Sequence, residues 1–378
     1  MWVLVAFLLL IVPLHSQPSY AQNQKTVRMG VVLPLKEKNS RGAKMVEFYQ
    51  GMLLAVDSLK REGLNIEVNT FHSGTTAHEM DVLVNSKSLA HCDVVFGPLE
   101  VAQLPSLADY CDIHNVRLVC PFSPLATQVA SHPRYYMATA PRATIQREAV
   151  WYIKDQFAEH NIILVDCNEQ NEEGMAFGEQ LRSGMSEKGV YVRQLNINAD
   201  EISFQQAFNP LRKNLVVLKS TSVKALNTFL PKLKDYKRLH PELAISLFGY
   251  PNWQTYTEQL LNDFYELDTY IYTTFYRNPL ASRTQEIDRT FAQWFHHPMQ
   301  ATFPRYGLMG FDLTYFFLRG LSIYGDHLED NLSQVPSYPF QTPFWFERQG
   351  NNDGFINTFV ELVHYTPLQT IELISRNR

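Results

Sequence analysis

Apolar and polar residues follow two different periods in the stretch that begins the predicted fold. Residues 27–35 are mostly apolar, as in a parallel strand covered on both faces. From Met45 to Gly63 apolar residues recur at helical spacing, which predicts an amphipathic helix ended by the glycine. A second apolar run at 66–71 completes a βαβ unit. The polar loop at 36–44 follows a strand's carboxyl end, so it is a first candidate for a ligand-facing edge.

The alternation of strand and helix patterns continues in two series. One series extends to about residue 124, and the other occupies residues 145–248. Residues 135–141 are extended and aromatic, and residues 269–276 alternate aromatic residues with threonine, so both segments are predicted to pass between lobes. The sequence therefore predicts an α/β protein with two doubly wound lobes.

The C-terminal part departs from this alternation. Residues 306–324 show a long apolar helix pattern, whereas residues 344–374 consist of short runs separated by a Gly- and Asn-rich stretch at 349–354. Such a stretch between short strands is typical of a β-hairpin. We therefore expect the chain to end in sheet rather than in another βαβ unit.

Composition and charge narrow the classes of function. The chain has 378 residues, which is too long for one ordinary domain, and 45% of them are apolar. Its net charge of -5 and its scattered Lys and Arg residues offer no basic stripe for nucleic acid. The sequence has no nucleophile elbow, phosphate-binding glycine loop, dinucleotide fingerprint or His-Glu-x-x-His motif. We predict that the protein is not an enzyme and uses no cofactor. The adjacent pair His296 and His297 indicates solvated surface rather than a metal site.

The first residues predict export. Residues 1–21 combine an apolar run with a small-x-small pattern that ends at Ala21, as in a cleaved signal peptide. No cysteine near this junction could carry a lipid, so we expect a periplasmic or secreted protein. A disulfide in the first lobe and four buried thiols are both compatible with the cysteine spacing, and buried thiols are favoured. The cysteines are Cys92, Cys111, Cys120 and Cys167.

Five segments in register resemble the type I periplasmic solute-binding proteins, the superfamily of leucine/isoleucine/valine-binding proteins. They are GVVLPL at 30–35, YQGMLLAVD at 49–57, VVFGP at 94–98, VCPFS at 119–123 and TAP at 139–141. The segments at 46–50 and 121–123 resemble a Bacteroidetes variant usually found with LysM repeats, and no such repeat is expected before this domain.

The resemblance implies two lobes joined by a three-strand hinge that closes over a ligand. Residues 22–140 plus 277–328 would form the first lobe, and residues 141–276 plus 329–378 the second. The implied partners are a small molecule in the interlobe cleft and a membrane permease of an ABC transporter or an envelope protein. No metal or nucleic acid is implied.

The resemblance also implies which positions face the ligand. In amino-acid-binding members, first-lobe hydroxyls and amides hold the carboxylate, and acidic and aromatic second-lobe residues hold the ammonium. The matching positions are Leu35, Gly97, Pro98, Leu99, Glu100, Phe122 and Ser123 in the first lobe and Asn171, Ser220, Thr221, Tyr250, Asn252 and Trp253 in the second. Bulky residues replace several of the expected small ones, so a free branched-chain amino acid is not the expected ligand.

Several of these residues have two interpretations. Glu100 could receive a cationic group, although a helix cap is favoured. Ser123 and Ser220 could donate to a ligand or satisfy amides at a helix start. Tyr250 and Trp253 could stack on a ligand or lie buried.

Two functional hypotheses follow. In the first, an exported solute-binding protein holds a small polar ligand, such as an amino acid-like molecule, a peptide or a cell-wall fragment, for transport or sensing. In the alternative, the same fold with a degenerate cleft serves as a protein-interaction module that regulates cell-envelope synthesis.

Overall fold

The structure is a computed structural model that describes residues 26–122 and 130–376. The predicted signal peptide at 1–21 and the predicted site residue Ser123 lie outside the described residues. Within the described residues the chain forms two seven-stranded sheets. This confirms the prediction of two α/β lobes.

The first lobe begins with five parallel strands and the helices that connect them. These elements are β1 (Val27–Leu33), α1 (Ser40–Arg61), β2 (Ile66–His72), α2 (Ala77–Asn85), β3 (Val94–Phe96), α3 (Leu104–Ile113), β4 (Arg117–Cys120) and β5 (Tyr135–Met137). The neighbouring residues Val31 and Val32 of β1 pack into different core clusters. Both faces of this sheet are therefore buried, as the continuous apolar runs predicted.

The second series has the same plan. Its elements are α4 (Arg142–Gln156), β6 (Asn161–Asp166), α5 (Glu172–Ser186), β7 (Val192–Asn196), α6 (Glu201–Ala207), β8 (Asn214–Leu218), α7 (Val223–Leu239), β9 (Ile245–Gly249), α8 (Thr257–Glu266) and β10 (Thr269–Thr273). These strands pair in parallel, and their side chains form one continuous core.

The chain passes between the two sheets three times, at residues 138–141, 274–281 and 358–360. After the second crossing it returns to the first lobe through α9 (Ser282–Phe295) and α10 (Tyr306–Tyr324), and four short strands follow. These strands are β11 (Phe346–Arg348), β12 (Phe355–Asn357), β13 (Glu361–Tyr365) and β14 (Ile371–Ser375). Three crossings confirm the predicted three-strand hinge.

The four C-terminal strands divide between the two sheets. The strand orders are β11-β12-β5-β4-β3-β1-β2 and β14-β13-β10-β9-β8-β6-β7. β11 and β12 form the predicted antiparallel hairpin, but β12 pairs with β5 of the first sheet. The assignment of residues 329–378 to the second lobe was therefore wrong for these two strands. Local alternation predicts a hairpin without showing which sheet accepts it, and the rest of the division stays a prediction.

Helix α1 begins five residues earlier than its apolar period predicted. The side chain of Asn39 accepts a hydrogen bond of 2.8 Å from the Gly42 amide and caps the helix. Part of the predicted ligand-facing loop at 36–44 is thus the first turn of α1.

Helices α1 and α10 approach each other closely enough that only glycine fits at two positions. A Cβ atom at Gly51 would lie 1.8 Å from the carbonyl oxygen of Gly307, and one at Gly310 would lie 2.1 Å from that of Phe48. The buried carboxylate of Glu47 accepts hydrogen bonds from the amide of Gln300, which precedes α10, and from the amide of Gly307 in its first turn. These contacts hold the N-terminal parts of α1 and α10 together.

Among the described residues, no helix combines the length and the apolar character that spanning a membrane requires.

Candidate functional site

A cavity of about 610 Å³ lies where the first lobe meets the crossings. The first crossing contributes Thr139, the second contributes Thr274 with Phe275, and Asn357 lines the cavity from the end of β12, next to the third crossing. Ile145 of α4 is the contribution of the second lobe among the described residues. The cavity is therefore positioned where a change in lobe orientation would alter its shape.

The first turns of α1 and α10 form one wall. Met45 and Met309 are buried, and Phe122 lies between the helices with its ring centroid 4.8 Å from that of Phe48 and 6.0 Å from that of Tyr306. Leu99 extends this apolar wall from the loop after β3. Thioether and aromatic groups of this kind suit a ligand with an apolar body.

Two cations of α1, Arg41 and Lys44, line the cavity in different electrostatic states. The guanidinium of Arg41 forms two contacts with the Glu100 carboxylate, of 2.8 and 3.2 Å. Lys44 has no carboxylate partner among the described residues, and its ammonium lies 5.7 Å from the centre of the Tyr306 ring. Lys44 is thus the cation whose charge remains available to a ligand.

Polar side chains that line the cavity also hold the crossings in place. The Thr139 hydroxyl donates to the Pro121 carbonyl at 2.7 Å, and the Asn357 amide nitrogen donates to the Ala138 carbonyl at 3.1 Å. The Asn357 amide oxygen accepts from the backbone of Trp345 at 2.8 Å and of Phe359 at 3.2 Å. These side chains therefore position backbone as well as lining the cavity.

Asp312 of α10 supports the cavity from behind. Its carboxylate accepts hydrogen bonds of 2.8 to 2.9 Å from the amides of Phe340, Gln341 and Thr342, and Thr342 lines the cavity. Burial raises the pKa of Asp312 to about 7, against the effect of the three amide donors.

The loops that follow β6, β8 and β9 at the carboxyl edge of the second sheet bond to one another instead. Asn171 donates to the Thr221 hydroxyl at 3.1 Å, and Asn252 donates to the Thr221 carbonyl at 3.0 Å. Ser220 and Ser222 both donate to Glu169, and these hydroxyls hold the pKa of that carboxyl below its ordinary value. No residue of these loops lines the 610 Å³ cavity among the described residues.

The aromatic residues predicted to stack on a ligand are instead part of the second-lobe core. Tyr250 and Trp253 are 0% exposed, and the Tyr250 hydroxyl donates to the Leu218 carbonyl. The Trp253 ring lies against Gly249 and stacks on Phe264 with centroids 6.2 Å apart. Both side chains are therefore buried in this structure, and their stacking on a ligand stays a prediction.

The predicted site residues other than Ser123 divide into those that line or adjoin the cavity and those that do not. Leu99 and Phe122 line the cavity, and Glu100 lies beside it, bound to Arg41 rather than capping a helix. Ser220 accepts from the Ser222 amide at a helix start, and Asn171 caps α5. The residues that do not line the cavity are Leu35, Gly97, Pro98, Asn171, Ser220, Thr221, Tyr250, Asn252 and Trp253.

Sequence reasoning missed the lining residues contributed by α10 and by the third crossing. The loop at 36–44 and the crossings at 135–141 and 269–276 already pointed to Lys44, Thr139 and Thr274. Tyr306 and Met309 carried only the apolar period of a helix, which does not distinguish a cavity wall from a core.

Buried thiols and a second cavity are further features of the described residues. The four cysteines are buried free thiols, as favoured from the sequence, and burial raises the pKa of Cys92 to about 11. A second cavity of about 660 Å³ is lined by residues 275–280 of the second crossing, and Phe275 lines both cavities. The described residues contain no group of side chains that could hold a metal ion.

Comparison with known proteins identifies the fold. No protein-family model and no curated protein matches the sequence. Among solved structures, a protein proposed to be a branched-chain amino acid ABC transporter from Rhodospirillum rubrum has a TM-score of 0.64 at 12% identity, covering 92% of this chain and 100% of its own. A branched chain amino acid ABC transporter periplasmic ligand-binding protein from Burkholderia xenovorans has a TM-score of 0.53 at 10% identity, with 92% and 94% coverage.

An ABC transporter substrate-binding protein from Desulfitobacterium hafniense is similar over 93% of this chain and 100% of its own, at 13% identity and a TM-score of 0.51. These likenesses extend over nearly the whole described chain. The chain therefore has the type I periplasmic binding protein fold, as the five sequence segments indicated. At such low identity the ligand must be inferred from the site itself.

Proposed function

We propose that the protein is an exported solute-binding protein that holds a small molecule in the 610 Å³ cavity and closes its lobes over it. The observation that carries this proposal is that residues in the first two crossings and Asn357, directly before the third, line the cavity. Rotation about the crossings would change the cavity, so a bound molecule would favour one lobe orientation. Similar solved structures named as substrate-binding proteins of ABC transporters support a membrane permease as the partner. The apolar run at residues 1–21 supports export.

A thermal-shift screen against small acids, amino acids, short peptides and cell-wall fragments tests this proposal. We expect at least one compound to raise the unfolding temperature in proportion to the logarithm of its concentration, because it binds only the folded state. Small-angle scattering with that compound should show a smaller radius of gyration. A broad screen without a stabilising compound would contradict the proposal.

A cavity-blocking variant locates the binding. Thr274→Trp places an indole in the cavity and should abolish the stabilisation. Thr228→Trp, on the exposed face of α7, is the matched control and should retain it. Equal binding by both variants would place the ligand elsewhere.

The protein-interaction alternative has its own supporting observation. Strand β14 ends the second sheet, and Ile371 and Leu373 on it are 39% and 50% exposed. An exposed apolar edge strand can add a strand from another chain. Pull-down from an envelope extract with wild-type protein and with Leu373→Lys tests this alternative, which predicts a partner captured only by the wild type.

A further inference from the structure

As far as the described residues show, the cavity lining combines an apolar surface with a single available positive charge. Met45, Leu99, Phe122, Met309 and Phe275 supply its apolar surface. Glu100 neutralises Arg41, whereas Lys44 is partly buried and has no carboxylate partner among the described residues. One uncompensated cation next to an apolar surface favours a ligand with one negative charge over a dianion such as a phosphate ester.

Within the described part of the chain, the cavity offers no acidic partner for an ammonium group. None of the described residues that line it is Asp or Glu. Residues 123–129, which follow Phe122 in the sequence, also contain neither. The Asn357 amide oxygen is already engaged by two backbone amides. An ammonium placed here would lose its hydration and lie near the positive charge of Lys44.

We propose that the ligand is a small apolar monocarboxylate without an ammonium group, with its carboxylate on Lys44 and its hydrocarbon part against Met45, Phe122 and Met309. This inference rests on the proposed function and specifies its ligand class. It distinguishes the cavity from a site for zwitterionic α-amino acids, which needs a cationic group and an acidic group facing each other across the ligand.

Matched compounds test the charge requirement directly. Isocaproate is leucine without its amino group, and hydrocinnamate is phenylalanine without its amino group; hydrocinnamide replaces the carboxylate by a neutral amide. Titration calorimetry should show that each acid binds at least about tenfold tighter than its amino acid, and that hydrocinnamate binds at least about tenfold tighter than hydrocinnamide.

Variants of two lysines on α1 assign the charge to a residue. Lys44→Met should weaken hydrocinnamate binding about tenfold or more while leaving hydrocinnamide binding unchanged, because only the acid uses the ammonium. Lys44→Arg should retain most of the affinity. Lys60→Met is the matched control, since Lys60 is exposed in the last turn of the same helix, and it should bind as the wild type does. Thermal unfolding of each variant verifies that it is folded.

The possible results separate this inference from the proposed function. Tighter binding of leucine or phenylalanine than of the corresponding acid would overturn the ligand class while supporting a solute-binding protein. Equal hydrocinnamate binding by Lys44→Met and the wild type would overturn the role of Lys44. If none of these five compounds binds, the inference is wrong, and the broad screen alone then decides the proposed function.

Discussion

The two lobes share one architecture but differ at the carboxyl ends of their strands. In the first lobe this edge joins the crossings around an open cavity, with Lys44 uncompensated by any carboxylate of the described residues. In the second lobe, Asn171, Thr221 and Asn252 bond to one another, and Glu169 is held by serine hydroxyls. The first edge therefore presents a charged group that can bind a ligand, whereas many polar groups of the second edge are already hydrogen-bonded to one another.

The difference shows that a shared fold predicts where loops converge but not whether their polar groups remain free. A hydrogen bond within a loop network must be replaced before the group can bind a ligand, which reduces the net gain. Three variants test this contrast between the lobes.

The largest effect is expected at the helix contact that supports the first-lobe cavity. Gly51→Ala places a methyl group against the Gly307 carbonyl oxygen, where 1.8 Å is available, so α1 and α10 must separate. We expect a loss of about 2–4 kcal/mol in unfolding free energy, measured by urea denaturation, together with loss of ligand stabilisation. Lys60→Ala, at an exposed position of the same helix, should change stability by no more than about 0.5 kcal/mol. A Gly51→Ala protein of wild-type stability would contradict this packing.

A smaller effect is expected from the buried indole of the second lobe. Trp253→Phe removes part of a ring that is 0% exposed and should lower the unfolding free energy by about 1–3 kcal/mol. Because Trp253 does not line the cavity, the dissociation constant of the stabilising compound should stay unchanged. Trp294→Phe, at a side chain 44% exposed, is the control for stability. Weaker binding by Trp253→Phe alone would support the ligand-stacking interpretation.

The smallest effect is expected from the second-lobe loop network. Glu169→Gln weakens the bonds from Ser220 and Ser222 and should cost about 1 kcal/mol at pH 7. The pKa of Glu169 is lowered in the folded state, so its contribution is present above the unfolded pKa and is lost as pH falls through the folded one. Denaturation of both proteins at pH 7 and at about pH 3 measures this difference, which should shrink in acid. A difference that persists or grows in acid would exclude the ionised carboxylate as its source.

Much of the fold could be predicted because it depends on local pattern. The apolar run of β1 and the helical period of α10 predicted both elements with bounds close to those observed. The site was harder to predict from the sequence, because the burial of Trp253 and the pairing of Arg41 with Glu100 depend on residues distant along the chain. The same limit explains the misplaced hairpin of β11 and β12, whose pairing with β5 joins residues far apart along the chain.

The sequence by itself determined the two βαβ series and two of the crossings, since these follow from periodicity. Only the tertiary structure decided that Lys44 stands beside an apolar cavity without a carboxylate partner among the described residues, and that Tyr250 and Trp253 are buried. Charge neutralisation and burial depend on which side chains meet in space. A one-dimensional pattern indicates which face of an element is apolar but does not specify the neighbours that will cover it.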